Sequence, residues 1–205
     1  MSAVWPALIA AVIAAIGWFA NDKLTSQREE LRRRTEAQFR FVERQLEELY
    51  GPLSAELYEG RRTFSDLLES LGRDYVFPAN DILSPLELKT WLFWAESDFL
   101  PRNERIKVLL MRKTHLIEGP TFPDSYVLFL DHCNSWAINH LRWKQQQVEY
   151  SWHSKVNWPE AFETEVLDTF HELKRRHADL LGKLASPTLS SPAVPVDDSA
   201  RRATT

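Results

Sequence analysis

The side chains best suited to chemistry are His132, His140, Glu96, Glu104 and Cys133. Imidazoles combined with carboxylates can hold a metal or relay protons in hydrolysis. The spacing opposes such a site within one element. His132 and His140 lie eight residues apart with Trp136 between them. Two helical turns separate them by roughly 12 Å, too far for one metal. The four form a catalytic centre only if tertiary packing gathers them, which defines an alternative reading as a membrane-surface enzyme. His171 and His177 are six residues apart and face different ways on a helix. Cys133 would need a neighbouring base and an electropositive setting to act as a nucleophile. His132 adjoins it in sequence but points about 100° away on a helix, so Cys133 reads as a small buried hydrophobe. No metal site and no cofactor are expected.

A second group of residues suits recognition instead. Trp143, Tyr150, Trp152 and Trp158 are interleaved with Lys144, His153 and Lys155. Aromatic rings with basic neighbours can grip a partner peptide, or else pack a helix-to-helix turn. The expected partner surface is therefore Trp143, Tyr150, Trp152, His153, Lys155 and Trp158. The polar stretch Asp98–Arg105 reads either as a polar site or as the cap of a helix. Six scattered glycines leave little material for a phosphate-cradling loop, and there is no Gly-x-Ser-x-Gly elbow or nucleotide fingerprint.

Composition narrows the partners. A net charge of −4 lacks the basic excess of nucleic-acid binders, so no nucleic acid is expected. The single cysteine allows no internal disulfide and fits a reducing compartment. Few glycines, with long stretches rich in Leu, Glu, Arg and Gln, predict an all-α fold.

The elements that must position these residues begin with an apolar run. From Ala3 to Ala20 there are eighteen residues without a charge. As a helix the run is roughly 27 Å long, near the ~30 Å of bilayer hydrocarbon. Trp5 and Trp18 stand near its ends, with Lys23 and Arg28 just beyond, as expected at a membrane interface. No Lys or Arg precedes the run, which separates it from a cleaved signal. Lys23, Arg28, Arg32, Arg33 and Arg34 follow it. A single pass through the inner membrane, N-terminus outside and the remainder cytoplasmic, is the orientation this asymmetry predicts. Ala7, Ala11 and Ala15 recur every fourth residue and offer a small-residue face for pairing into a homo-oligomer.

Residues 22–50 predict a charged helical stalk with seven basic and seven acidic side chains. Glu29–Arg33, Glu30–Arg34, Glu36–Arg40 and Arg44–Glu48 stand at helix-supporting spacing, and a coiled coil is one way to use such a helix. Gly51-Pro52 marks a kink or a new helix running to Leu71, with Gly72 as its stop. Further helices are expected at about 85–99, 104–118, 124–148 and 159–182. Ser84-Pro85-Leu86-Glu87 reads as a capping box, and Thr121 and Asn157 as caps of later helices. The bundle of about five helices is expected over 51–184, and a disordered tail over 186–205, where prolines sit among Ser and Thr.

An N-terminal membrane helix, a charged helix, the element Leu49-Tyr50-Gly51-Pro52-Leu53 and a helical domain together resemble a loose class of small bacterial proteins. The resemblance covers that layout and that short motif, and it implies no activity. The expectation is a membrane-tethered interaction or assembly module for an unknown protein partner. An effector acting through its anchor is a further alternative.

Overall fold

The computed structural model describes residues 4–77, 83–148 and 157–186, with side chains from Ala15 onward. Among these residues every regular element is helical. α1 runs unbroken from Val4 to Gln45 and α2 from Gly51 to Leu71, with a π turn, Leu46–Tyr50, between them. α3 (Pro85–Trp94) passes through a second π turn, Ala95–Phe99, into α4 (Leu100–Arg112). A short 3₁₀ turn at Thr114–Leu116 precedes α5 (Asp124–Gln146) and α6 (Glu160–Ala185). The described residues fall into two compact units: those within 42–175, and a smaller set within 4–41 and 176–186.

The smaller unit contains most of α1. Three predicted helix pairs form there or just beyond, Arg33–Glu29 at 3.9 Å, Arg34–Glu30 at 2.8 Å and Arg44–Glu48 at 3.0 Å. Glu36 differs from expectation, taking Arg32 at 2.9 Å, one turn toward the N-terminus. Phe39 packs its ring on His177 at 4.7 Å, which makes His177 a packing residue.

No helix among the described residues is long and apolar enough to cross a membrane. The fold therefore gives the expected transmembrane element no support. The described side chains of α1 begin at Ala15, and Asp22, Lys23 and Arg28 soon interrupt the apolar sequence. Trp5, Ala7 and Ala11 lie outside the residues whose side chains are described, as does most of the run Ala3–Ala20. Ala15, Trp18, Lys23 and Arg28 are exposed. The tail beyond Ser186 likewise lies outside.

In the larger unit the two π turns answer the same difficulty. Pro52 and Pro101 have no N–H to donate, and a proline ring crowds the carbonyl four residues earlier. Each helix widens just ahead of its proline: Gly51 N–H donates to Leu46 O and Leu100 N–H to Ala95 O, five residues back in both cases. Gly51 is required at the first turn, since a Cβ there would sit 2.5 Å from the Leu46 carbonyl oxygen. The break expected between residues 99 and 104 is absent, because the π turn carries the helix through Pro101. α4 then ends at Arg112, short of residue 118.

Other boundaries follow local chemistry. Gly72 closes α2 in the left-handed region at φ 63°. Ser84 and Glu87 form the expected capping box, Ser84 N–H donating to Glu87 Oε2 at 2.8 Å. Thr121 does not cap α5; Pro123 takes the cap position, with no side-chain cap bond. On α6, Phe162, Val166, Leu173 and Leu180 are buried. Gln45, fully buried, donates from Nε2 to Leu116 O at 2.9 Å and Glu118 Oε2 at 2.7 Å, fixing the turn after α4. Leu67, Val76, Trp91, Ala95, Phe99 and Trp136 form a buried core cluster within this unit.

Candidate functional site

A cavity of about 590 Å³ opens in the larger unit. Ligand pockets typically fall between about 300 and 1,000 Å³. Its walls come from α2 (Leu57, Gly60, Phe64), α3 and the second π turn (Trp91, Phe99), α4 (Arg102, Asn103), α5 (His132, Trp136) and the start of α6 (Glu160, Glu163, Thr164), with Trp158 just before it. The aromatic wall is continuous. Trp91 and Trp136 stack at 5.6 Å and 19°, Phe99 lies 5.7 Å from Trp91, and Phe64 6.2 Å from Phe99.

The polar part of the wall centres on Arg102, whose side chain is 4% exposed. Its guanidinium donates to Asp98, to Glu56 Oε2 at 3.3 Å, to Glu59 Oε2 at 3.0 Å and to the Glu56 carbonyl at 3.2 Å. Asp98 also accepts from Thr63 at 2.9 Å, and Arg105 holds Glu56 from the other side at 2.7 Å. Gly60 makes room for this arrangement: a Cβ there would stand 3.2 Å from Arg102 Cδ. Asp98 reaches Arg102 because both lie on one helical stretch, four residues apart across the π turn. The charges of Asp98–Arg105 thus form ion pairs with one another and with α2, and no side chain caps α4.

At the other side Glu163, 8% exposed, accepts from Trp158 Nε1 at 3.1 Å and faces Arg61. Trp158 also packs edge-on against Phe129 and His132, both at 5.7 Å. Trp136 is 7% exposed, and its indole Nε1 has no hydrogen-bond partner. The cavity therefore joins flat apolar faces with charged groups committed to one another.

The histidine and carboxylate residues divide among separate settings. His140 and Glu96 meet, with Nε2 3.0 Å from Oε1, and Lys144 Nζ donates to the same oxygen at 2.9 Å. Lys144, assisted by His140, holds the Glu96 carboxyl below its ordinary range. His132 instead packs on Trp136 and Trp158 in the cavity wall, and Glu104 pairs with Lys107 at 3.6 Å. No group of three or more His, Cys, Asp or Glu side chains is placed to hold a metal among the described residues. Cys133 is buried, and burial pushes its thiol up to about 12, which keeps it protonated near neutral pH.

Of the expected partner surface, Tyr150, Trp152, His153 and Lys155 lie outside the described residues. Trp143 is half-buried beside His140 at 5.4 Å, and Trp158 belongs to the cavity wall. Phe64, Trp91 and Glu163 had no place in the sequence reading of the site, and Phe99 and Arg102 entered it only within the stretch Asp98–Arg105. Their only signal there was the density of aromatic residues, which does not say which rings converge. The chain matches no known family, no curated protein and no solved structure.

Proposed function

We propose that the protein is a membrane-tethered binding module. The start of α1 holds it to a bilayer, and the unit of residues 42–175 receives a ligand, or a group presented by a partner protein, in its aromatic cavity. The observation that carries this reading is the cavity itself: about 590 Å³, walled largely by aromatic rings. Its arginines are tied to carboxylates, so the wall is suited to holding a molecule more than to transforming one.

Support for the tether comes from the eighteen uncharged residues Ala3–Ala20 and from the exposure of Ile16, Trp18 and Phe19 at 64%, 67% and 70%. Apolar side chains left outside a core favour lipid or another apolar surface. The basic residues that follow would keep the larger unit in the cytoplasm. Pairing through Ala7, Ala11 and Ala15 belongs to the same reading.

Fractionation of cells making the full chain, beside a chain lacking residues 1–20, tests the tether. The full chain stays with membranes after an alkaline carbonate wash and the shortened chain does not. Equal release of both would remove the tether. An enzymatic reading would draw on the His140–Glu96 contact; turnover on a hydrolase panel that disappears in His140→Asn would favour it.

A further inference from the structure

The binding-module reading leaves open what the cavity takes, and this inference rests on that reading. We infer that the cavity accepts a flat, uncharged ring molecule presenting an N–H donor beside a carbonyl on one edge, as a lactam or a cyclic imide does. The side-chain amide of Asn103 pairs with that edge.

The pairing follows from the state of Asn103. It lines the cavity from α4 and is 6% exposed, yet its side chain makes no hydrogen bond among the described residues. Trp136 Nε1 is sealed by its surroundings, whereas both polar atoms of the Asn103 amide keep accessible surface. On a residue otherwise packed, that surface opens on the cavity. Whatever fills the cavity must therefore satisfy an N–H and a carbonyl held side by side, because a buried polar group left unpaired costs free energy. Either orientation of the amide presents one donor next to one acceptor, so its match is a ligand edge carrying the same two groups in reverse. An asparagine amide recognises paired donor–acceptor edges of this kind with two hydrogen bonds. Shape comes from the rings. Phe64 and Trp158 are exposed and line the cavity with Trp91 and Phe99, and rings pair best with another flat ring, offset or edge-on. Charge comes from the pairing of the wall. Arg102 is held by Asp98, Glu56 and Glu59, and Arg61 by Glu163. Glu160, also in the lining, pairs with no cation among the described residues. An anionic ligand would meet engaged cations and a free carboxylate, which opposes binding.

Four bicyclic probes of nearly equal outline separate these points. 2-Quinolone carries an N–H beside its carbonyl, coumarin has a ring oxygen in place of that N–H, naphthalene has neither group, and 2-naphthoate is negatively charged. They are titrated into the full chain in lipid nanodiscs, with empty discs as the blank, and again into Asn103→Leu. 2-Quinolone should bind the unaltered chain about three- to tenfold more tightly than coumarin, the worth of one net hydrogen bond, and Asn103→Leu should bring that ratio close to one. The comparison in the unaltered chain needs no variant, so it stands if Asn103→Leu fails to fold. 2-Naphthoate should bind at least about tenfold more weakly than naphthalene, as an uncompensated charge requires. Equal affinity for 2-quinolone and coumarin in the unaltered chain overturns the pairing, and a preference that survives in Asn103→Leu overturns its assignment to Asn103. Naphthoate binding as well as naphthalene overturns the charge argument. Saturable binding without the preference overturns this inference alone, whereas failure of all four probes to bind saturably overturns the cavity as a binding site, and with it the reading above.

Discussion

At Leu46–Tyr50 and again at Ala95–Phe99 a helix widens into a π turn two residues ahead of a proline. The backbone device is shared, and the surroundings are not. At the first turn Leu49 and Tyr50 are buried in close packing, while Glu48 turns outward to Arg44 at 3.0 Å and Lys113 at 2.6 Å. At the second turn Phe99 borders the cavity, Asp98 reaches the buried Arg102, and Glu96 reaches His140 and Lys144. One extra residue per turn rotates the side chains that follow. At the first turn that rotation completes a core; at the second it brings Phe99 and Arg102 to a cavity wall, with Asp98 behind them holding the arginine. The difference teaches that the same local solution to a proline borders a cavity only where a neighbouring helix leaves space.

The largest effect expected from breaking this contrast is at Arg102. Replacing it with Met leaves Asp98, Glu56 and Glu59 facing one another without their shared cation, a loss of about 3 kcal/mol for a partly solvated cluster. Denaturant unfolding checks this, and a change below about 1 kcal/mol would mean that the cluster is not holding α2 to α4. Gly51→Ala comes next. Its Cβ would meet backbone at 2.5 Å, and the forced shift should cost about 2 kcal/mol. Leu100 occupies the corresponding place in the second turn with a side chain already accommodated, so Leu100→Ala should cost only about 1 kcal/mol of partly buried contact. Equal losses at the two positions would dissolve the distinction between the turns.

The smallest effect is the pH dependence at Glu48. Lys113 first and Arg44 second hold its carboxyl down to about 2. A carboxyl depressed in the folded state stabilises above its unfolded value and loses that contribution as pH falls. Stability should therefore decline from about pH 5 toward pH 2, and Glu48→Gln should flatten that part of the curve. The group is about one-third exposed, so solvent screens the pair, the flattening is modest, and thermal unfolding across that range measures it. Glu96→Gln should act in the same direction, since Lys144 and His140 depress Glu96 too.

Much of the local structure was legible in the chain. Ser84-Pro85-Leu86-Glu87 forms its box, Gly72 closes α2, Gly51-Pro52 marks the junction, and Cys133 is buried. Each depends on residues within one or two turns of each other. Leu100-Pro101 misled because proline at a helix start and proline just past a π turn look alike in sequence. Thr121 misled because a cap depends on the φ and ψ of the cap residue as well as on its side chain. Trp158 read either as a partner contact or as packing for a helix-to-helix turn; its indole finds Glu163 and its ring finds Phe129 and His132.

By itself the sequence determined the helical class, the apolar opening run with its basic flank, and the caps and stops of individual helices. These are set by periodicity, charge order and short-range hydrogen bonding, which act along the chain. The tertiary structure alone decided that Phe64, Trp91, Phe99, Trp136 and Trp158 share one cavity and that Arg102 sits beneath three carboxylates. Periodicity gives each helix a buried face, but the identity of the face opposite is fixed only when helices pack, and there the aromatic wall is made.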